Sequence, residues 1–134
     1  MKLGIICAQF NEEITGRMKK AALKRAKELK IEIIEVLDVP GVYDIPFAAK
    51  LLLEKKKIDA IATLGAVIKG ETDHDKLITH VATKALTKLS LNYKKPISLG
   101  IIGPGATDKQ ADARAEEYAK RAVEAAQELF LLKI

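Results

Sequence analysis

A chain of 134 residues has room for one hydrophobic core and no second domain, so residues 1–134 read as a single unit. Apolar residues make up 49% of it, no apolar run approaches the roughly 18 residues that span a membrane, and the N-terminus lacks a signal-peptide core and cleavage site, which together point to the cytoplasm. The formal charge of +5 is scattered over 23 basic and 18 acidic residues, and three Phe, three Tyr and no Trp offer no stacking platform, so neither nucleic acid nor membrane is an expected partner.

Lys2 to Ala8 is a short apolar run that reads as a fully buried strand, with Cys7 inside it as a buried, inert thiol. After the turn Gln9-Phe10-Asn11, residues Glu13 to Lys30 carry Ile14, Met18, Ala21, Ala22, Ala26 and Leu29 at helical spacing. Ile31 to Leu37 is a second, β-branched strand that ends at the turn Asp38-Val39-Pro40-Gly41. Tyr43 to Lys55 places Ile45, Ala48, Ala49 and Leu52 on one helical face, with Pro46 tolerated near its start. Ile58 to Thr63 is the third strand.

The loop that follows, Leu64 to Asp75, carries two glycines and an N-cap signature in Thr72-x-x-Asp75, and places His74 in a first helical turn whose unpaired N–H groups attract anions. Ile78, Val81, Ala82, Ala85 and Leu89 form the expected buried stripe of the third helix, with His74 one turn earlier on it. His74 and His80 lie six apart without cysteine partners, so no metal site is expected. Ile97 to Ile102 is the fourth strand. Gly103-Pro104-Gly105 turns the chain into a last helix opened by the capping box Thr107-x-x-Gln110 and buried along Ala111, Ala115, Ala119, Ala122, Ala126 and Leu129.

Four alternations of strand and helix with short connections predict an α/β fold: a four-stranded parallel sheet with helices on both faces, a three-layer αβα arrangement. Ligands bind such sheets outside the carboxyl ends of the strands. There the loops supply an exposed aromatic, an acid, a histidine and two helix N-termini, a set suited to a flat polar ring plus a phosphate. None of the glycine loops matches a dinucleotide or Walker motif.

At these loops the sequence resembles the lumazine synthases, in an archaeal-like short form, a family that makes 6,7-dimethyl-8-ribityllumazine in riboflavin biosynthesis. The matching stretches are Gln9-Phe10-Asn11 with Ile14-Thr15, Val39 to Pro46, Gly65 to His74, and Gln110-Ala111 with Arg114, in family order over nearly the whole chain. The resemblance implies a flavodoxin-like fold and a transferase that condenses 5-amino-6-(D-ribitylamino)uracil with 3,4-dihydroxy-2-butanone 4-phosphate, releasing phosphate and using no cofactor. It implies that Phe10 stacks on the pyrimidine, that Val42, Tyr43 and Asp44 hold the ribityl hydroxyls, and that Ala66, Val67 and Ile68 present backbone groups to the ring edge. Glu71, Thr72 and Arg114 would bind the phosphate and His74 would transfer protons. It further implies a homo-oligomer, a pentamer or a pentamer-based shell of 60 subunits, with each site between subunits and Leu99 and Arg114 contributed by the neighbour. Two rivals stand beside it. An archaeal-type riboflavin synthase would not need the phosphate residues Gly70 to His74 and Arg114, and a non-catalytic module binding a flavin-like ligand would not need His74.

Overall fold

The computed structural model describes residues 1–55 and 57–134. Each apolar run becomes a strand and each amphipathic run a helix: β1 (Lys2–Ala8), α1 (Glu12–Glu28), β2 (Glu32–Val39), α2 (Ile45–Lys55), β3 (Ala60–Ile68), α3 (His74–Tyr93), β4 (Ile97–Ala106) and α4 (Asp108–Phe130). A 3₁₀ turn, Val42–Asp44, precedes α2. The strands pair in parallel in the order β2-β1-β3-β4. Parallel neighbours require crossover connections, and these put α1 and α4 on one face of the sheet and α2 and α3 on the other. This is the expected three-layer αβα, flavodoxin-like arrangement.

The two central strands are buried on both sides, which explains their unbroken apolar sequences. Between the sheet and α1 and α4, Leu3, Ile5, Leu64 and Ile102 meet Met18, Ala22, Ala26, Val123 and the alanine column Ala111, Ala115, Ala119, Ala122 and Ala126. On the opposite face Ile6, Ile61 and Ile101 meet Ile45, Leu52 and Leu53 of α2 and Ala82 and Leu86 of α3. Charged links hold the rims. Arg17 of α1 bonds Asp112 at 2.8 Å, and Arg25 bonds Glu124 at 2.7 Å, so the exposed edges of α1 and α4 are joined where their alanines bring them close.

Four sequence expectations about these elements are corrected. β4 runs four residues past Ile102 to Ala106, so that Gly103-Pro104-Gly105 belongs to the strand and not to a turn into α4, because Ala106 still pairs with Ile68 of β3. β3 runs five residues past Thr63 to Ile68, because Gly65 is a strand residue whose missing Cβ leaves room for Val42; a Cβ there would lie 2.6 Å from the Val42 side chain. The buried stripe of α3 is Asp75, Thr79, Ala82 and Leu86, with Ile78 and Leu89 packed partly at its margin and Val81 exposed. Polar residues take the inner positions because their groups are satisfied: Thr79 Oγ1 donates to the Asp75 carbonyl at 2.8 Å. At the far end of α4 the buried column stops at Ala126, and Leu129 is exposed.

Candidate active site

The sheet order puts a topological switch between β1 and β3, since the chain leaves β1 toward β2 and returns to the other side of β1. The loops after β1, β2 and β3 therefore border one crevice. Its entrance is laid out by backbone bonds that extend the β1–β2 pairing beyond the strands: Gln9 N–H donates to the Val39 carbonyl at 2.8 Å and Phe10 N–H to the Pro40 carbonyl at 3.0 Å. Phe10 is thereby fixed next to the 3₁₀ turn with its ring free, 74% exposed.

The turn itself is pinned by Asp44. Its Oδ2 accepts the Gly41 N–H at 2.9 Å, while the Asp44 N–H donates to the Gly41 carbonyl at 3.0 Å. Val42 is buried against Gly65, and Tyr43 is exposed. Across the crevice the end of β3 supplies Ala66 and Val67, both buried, and Ile68. The Asn11 amide donates to the Ala66 carbonyl at 2.9 Å and so joins the first wall to the second.

The third wall is the start of α3. Thr72 Oγ1 accepts the His74 N–H at 3.3 Å, Asp73 is the N-cap residue, and His74 opens the helix with an exposed side chain. Asp75, expected to close a capping box with Thr72, turns instead into the protein, where its Oδ2 accepts the Gly105 N–H at 2.9 Å. The capping box expected at Thr107-x-x-Gln110 is formed, with bonds of 3.0 and 3.1 Å.

These walls enclose a pocket of about 540 Å³. It brings together eight of the sequence-predicted site residues, Phe10, Val42, Tyr43, Asp44, Ala66, Val67, Ile68 and His74, and adds Thr72 of the predicted phosphate set. Glu71, Leu99 and Arg114 do not line it: Glu71 is exposed in the loop before α3, Leu99 is exposed on β4, and Arg114 is exposed on the second turn of α4. Six lining residues were not among the predicted site residues, Asn11, Pro40, Gly41, Gly70, Asp75 and Ile78, and Asp75 was read from sequence only as a capping partner. Asn11 carries a local signal, a positive φ of 69° that Asn tolerates better than most residues, whereas the partner of Asp75 lies 30 positions away and leaves none. Among the described residues no group of three or more His, Cys, Asp or Glu stands together in a way that could hold a metal ion, and no helix is long and apolar enough to cross a membrane.

A pocket of this size at the switch point of a doubly wound sheet, lined by an aromatic, strand-end backbone and a histidine at a helix start, defines a flavodoxin-like α/β protein with a crevice of small-molecule size. Known proteins narrow the class. The family model described as 6,7-dimethyl-8-ribityllumazine synthase matches residues 1–133. Proteins named 6,7-dimethyl-8-ribityllumazine synthase from Saccharolobus solfataricus and Metallosphaera sedula are 53% and 52% identical over 126 residues, 94% of this chain and 82% and 83% of theirs. One of the same name from Pyrobaculum arsenaticum is 48% identical over 129 residues, 96% of this chain and 86% of its own. The chain belongs to the 6,7-dimethyl-8-ribityllumazine synthase family, and is thereby a transferase of riboflavin biosynthesis.

Proposed function

We propose that the pocket is where 5-amino-6-(D-ribitylamino)uracil and 3,4-dihydroxy-2-butanone 4-phosphate are condensed, and that residues 1–134 act as one domain in doing so. The observation that carries this reading is the convergence of Phe10, the Ala66–Ile68 strand end and His74 on one crevice. Phe10 stacks on the pyrimidine, a role its exposed ring leaves open. The backbone groups of Ala66, Val67 and Ile68 read the ring edge, and Val42, Tyr43 and Asp44 hold the ribityl chain. Asp44 spends one oxygen on Gly41 and keeps the other for a hydroxyl.

The 5-amino group attacks the ketone to form a Schiff base and water leaves. Loss of phosphate follows and leaves an enol that becomes a methyl ketone at the neighbouring carbon; the ribityl-bearing nitrogen attacks that ketone and closes the second ring as a second water leaves. Each step moves a proton, and His74, exposed at the helix start beside the ring-edge wall, is the shuttle. Holding two reactants in line supplies much of the acceleration, since a bimolecular step becomes an effectively unimolecular one. Phosphate binding falls to Glu71-Thr72 and to Arg114, whose fork of donors suits a phosphate.

Arg114 and Leu99 lie outside the pocket of their own chain, and we assign them to the pocket of the adjoining subunit in a homo-oligomer, a pentamer or a shell of pentamers. Supporting this, Phe47, Leu77, Val81 and Leu99 are exposed apolar residues of α2, α3 and β4. A cytoplasmic location fits an enzyme of small-molecule biosynthesis. The test is incubation of the protein with both substrates, followed by measurement of its mass in solution. Absorbance of the lumazine and a mass of five or more chains are expected. Riboflavin formed from supplied lumazine, with none made from the two substrates, would transfer the protein to the rival reaction.

A further inference from the structure

Asp75 is the only carboxylate among the described residues that the fold buries, with 5% of its surface exposed. A buried carboxylate is costly unless it is paired or hydrogen-bonded, and no cation lies within ion-pair distance of this one among the described residues. What compensates it is local and specific. It sits in the first turn of α3, where the helix dipole favours negative charge, and its Oδ2 accepts the Gly105 N–H at 2.9 Å. Its second oxygen has no hydrogen-bond partner among the described residues, and the residue forms part of the pocket wall.

The other end of that hydrogen bond is an irregular piece of β4. The β3–β4 ladder passes from Ala66 opposite Ile102 to Ile68 opposite Ala106, so the residues between Ile102 and Ala106 arch away from the sheet over Val67. Gly103 has φ 107° and a Cβ there would collide with the Val67 carbonyl oxygen, while Gly105 has φ 82°. At Gly103 and Gly105 only glycine adopts these conformations without strain, and neither has a side chain to hold the arch in place, so Pro104 carries the one side chain between Ile102 and Ala106. The backbone bond from Lys69 N–H to the Ala106 carbonyl, 2.8 Å, closes its far end. At its crest the fastening is Asp75.

Asp75 thus joins three parts of the site: the ring-edge wall beneath the arch, the first turn of α3 one residue after His74, and the segment that leads through the Thr107 cap into α4. We propose that Asp75 is a positioning residue of the reaction, which through Gly105 holds His74 in register with the Ala66–Ile68 wall. This rests on the pocket being the condensation site. A side chain held out of place by 1 Å can slow a reaction by about 100-fold, so a single fastening at this point reaches the chemistry without touching substrate.

The test compares Asp75→Ala, which removes the acceptor, with Asp75→Asn, whose amide oxygen can still accept the Gly105 N–H. Asp75→Ala is expected to lower kcat by about tenfold or more while the KM for the ribitylaminouracil stays within about twofold, and Asp75→Asn to keep kcat within about threefold of the wild type. Amide hydrogen exchange over residues 103–106 should quicken by about tenfold in Asp75→Ala and stay near the wild-type rate in Asp75→Asn, with β1 and β3 unchanged. If Asp75→Ala does not fold, Asp75→Ser, too short to reach Gly105, replaces it with the same expected outcomes. The proposal is overturned if the acceptor-less variant keeps its kcat, if the Asn and Ala variants lose activity equally, or if exchange over residues 103–106 does not respond. A wild-type protein that makes no lumazine overturns the reading of the pocket itself, whereas an active wild type with an indifferent Asp75→Ala overturns the positioning role alone.

Discussion

The Asn11 side-chain amide donates to the Ala66 carbonyl across 2.9 Å, joining the turn after β1 to the end of β3. That bond fixes the distance between the neighbouring Phe10 ring, proposed to stack on substrate, and the strand end proposed to read the substrate's edge. Asn11 also occupies the left-handed region, φ 69°. Asn11→Ala removes the hydrogen bond, about 0.5–1.5 kcal/mol, and adds the strain of a Cβ in that conformation, about 1–2 kcal/mol. Asn11→Gly removes the bond without the strain. Thermal melts should show the Ala variant less stable than the Gly variant, while kcat/KM falls about equally in both, by up to about tenfold. Wild-type activity in Asn11→Gly would show that the link to Ala66 does not matter to the reaction.

His74 is exposed, and its imidazole has no hydrogen-bond partner among the described residues, so its removal should leave stability within about 0.5 kcal/mol of the wild type. The effect should fall on turnover. Loss of a proton shuttle costs about 10²–10⁴-fold, the residual rate coming from the alignment of the two substrates. Lumazine formation by His74→Ala under saturating substrates, followed by absorbance, measures the loss. A kcat within a few-fold of the wild type would remove His74 from the chemistry.

Local pattern carried the parts of this molecule that local physics decides. β1 is read to the residue, because a short apolar run with no polar interruption has nowhere to go but the middle of a sheet. The Thr107–Gln110 box is read from spacing alone, because both its bonds are local. The same spacing at Thr72 and Asp75 misled, since the Asp75 carboxylate finds a better donor 30 residues away in Gly105. The end of β3 was hidden by Gly65, which reads as loop until the side chain of Val42 is seen in the space it leaves. Of the candidate site, the loops were legible because a doubly wound sheet brings them to one edge. Leu99 and Arg114 fall outside the pocket that one chain forms, and no periodicity within the sequence places them against another.

Cys7 tests how closed the core is. Burial in β1 pushes its thiol from 9.0 up to about 11, with Lys19 pulling it back and Asp38 adding to the rise. At pH 8 the thiolate fraction is then about 100-fold below that of the unfolded chain, and alkylation of the native protein should be slower by at least about that factor than in denaturant. The same shift sets an alkaline limit. A raised folded value leaves stability intact below pH 9.0 and erodes it as pH climbs toward about 11, because the unfolded chain gives up its proton first. Lys19, raised by its hydrogen bond to Asp38, acts in the same direction. Denaturant midpoints measured from pH 7 to 11 should fall only in the upper part of that range, and Cys7→Ala should lessen the fall. Rapid alkylation of the folded protein at pH 8 would contradict the burial.

Arg114 decides whether the site is shared. It is exposed, makes no ion pair among the described residues and stands outside its own chain's pocket, so if it grips the phosphate of the butanone substrate it does so in a neighbour. Arg114→Ala should raise the KM for the phosphorylated substrate by about tenfold or more and the KM for the uracil far less, because a lost charge-assisted pair is worth about 1.5–3 kcal/mol at the group it held. A sharper test mixes subunits. In the proposed homo-oligomer the Arg114→Ala and His74→Ala variants should each be impaired, but when they are unfolded and refolded together in equal amounts, about a quarter of the contacts between subunits would unite an intact His74 with an intact Arg114 from the next chain. Activity should then rise well above that of either variant, toward about a quarter of the wild type. If both residues served the pocket of their own chain, no mixture could restore an intact site, and the activity of the mixed oligomers would stay at the mean of the two parents.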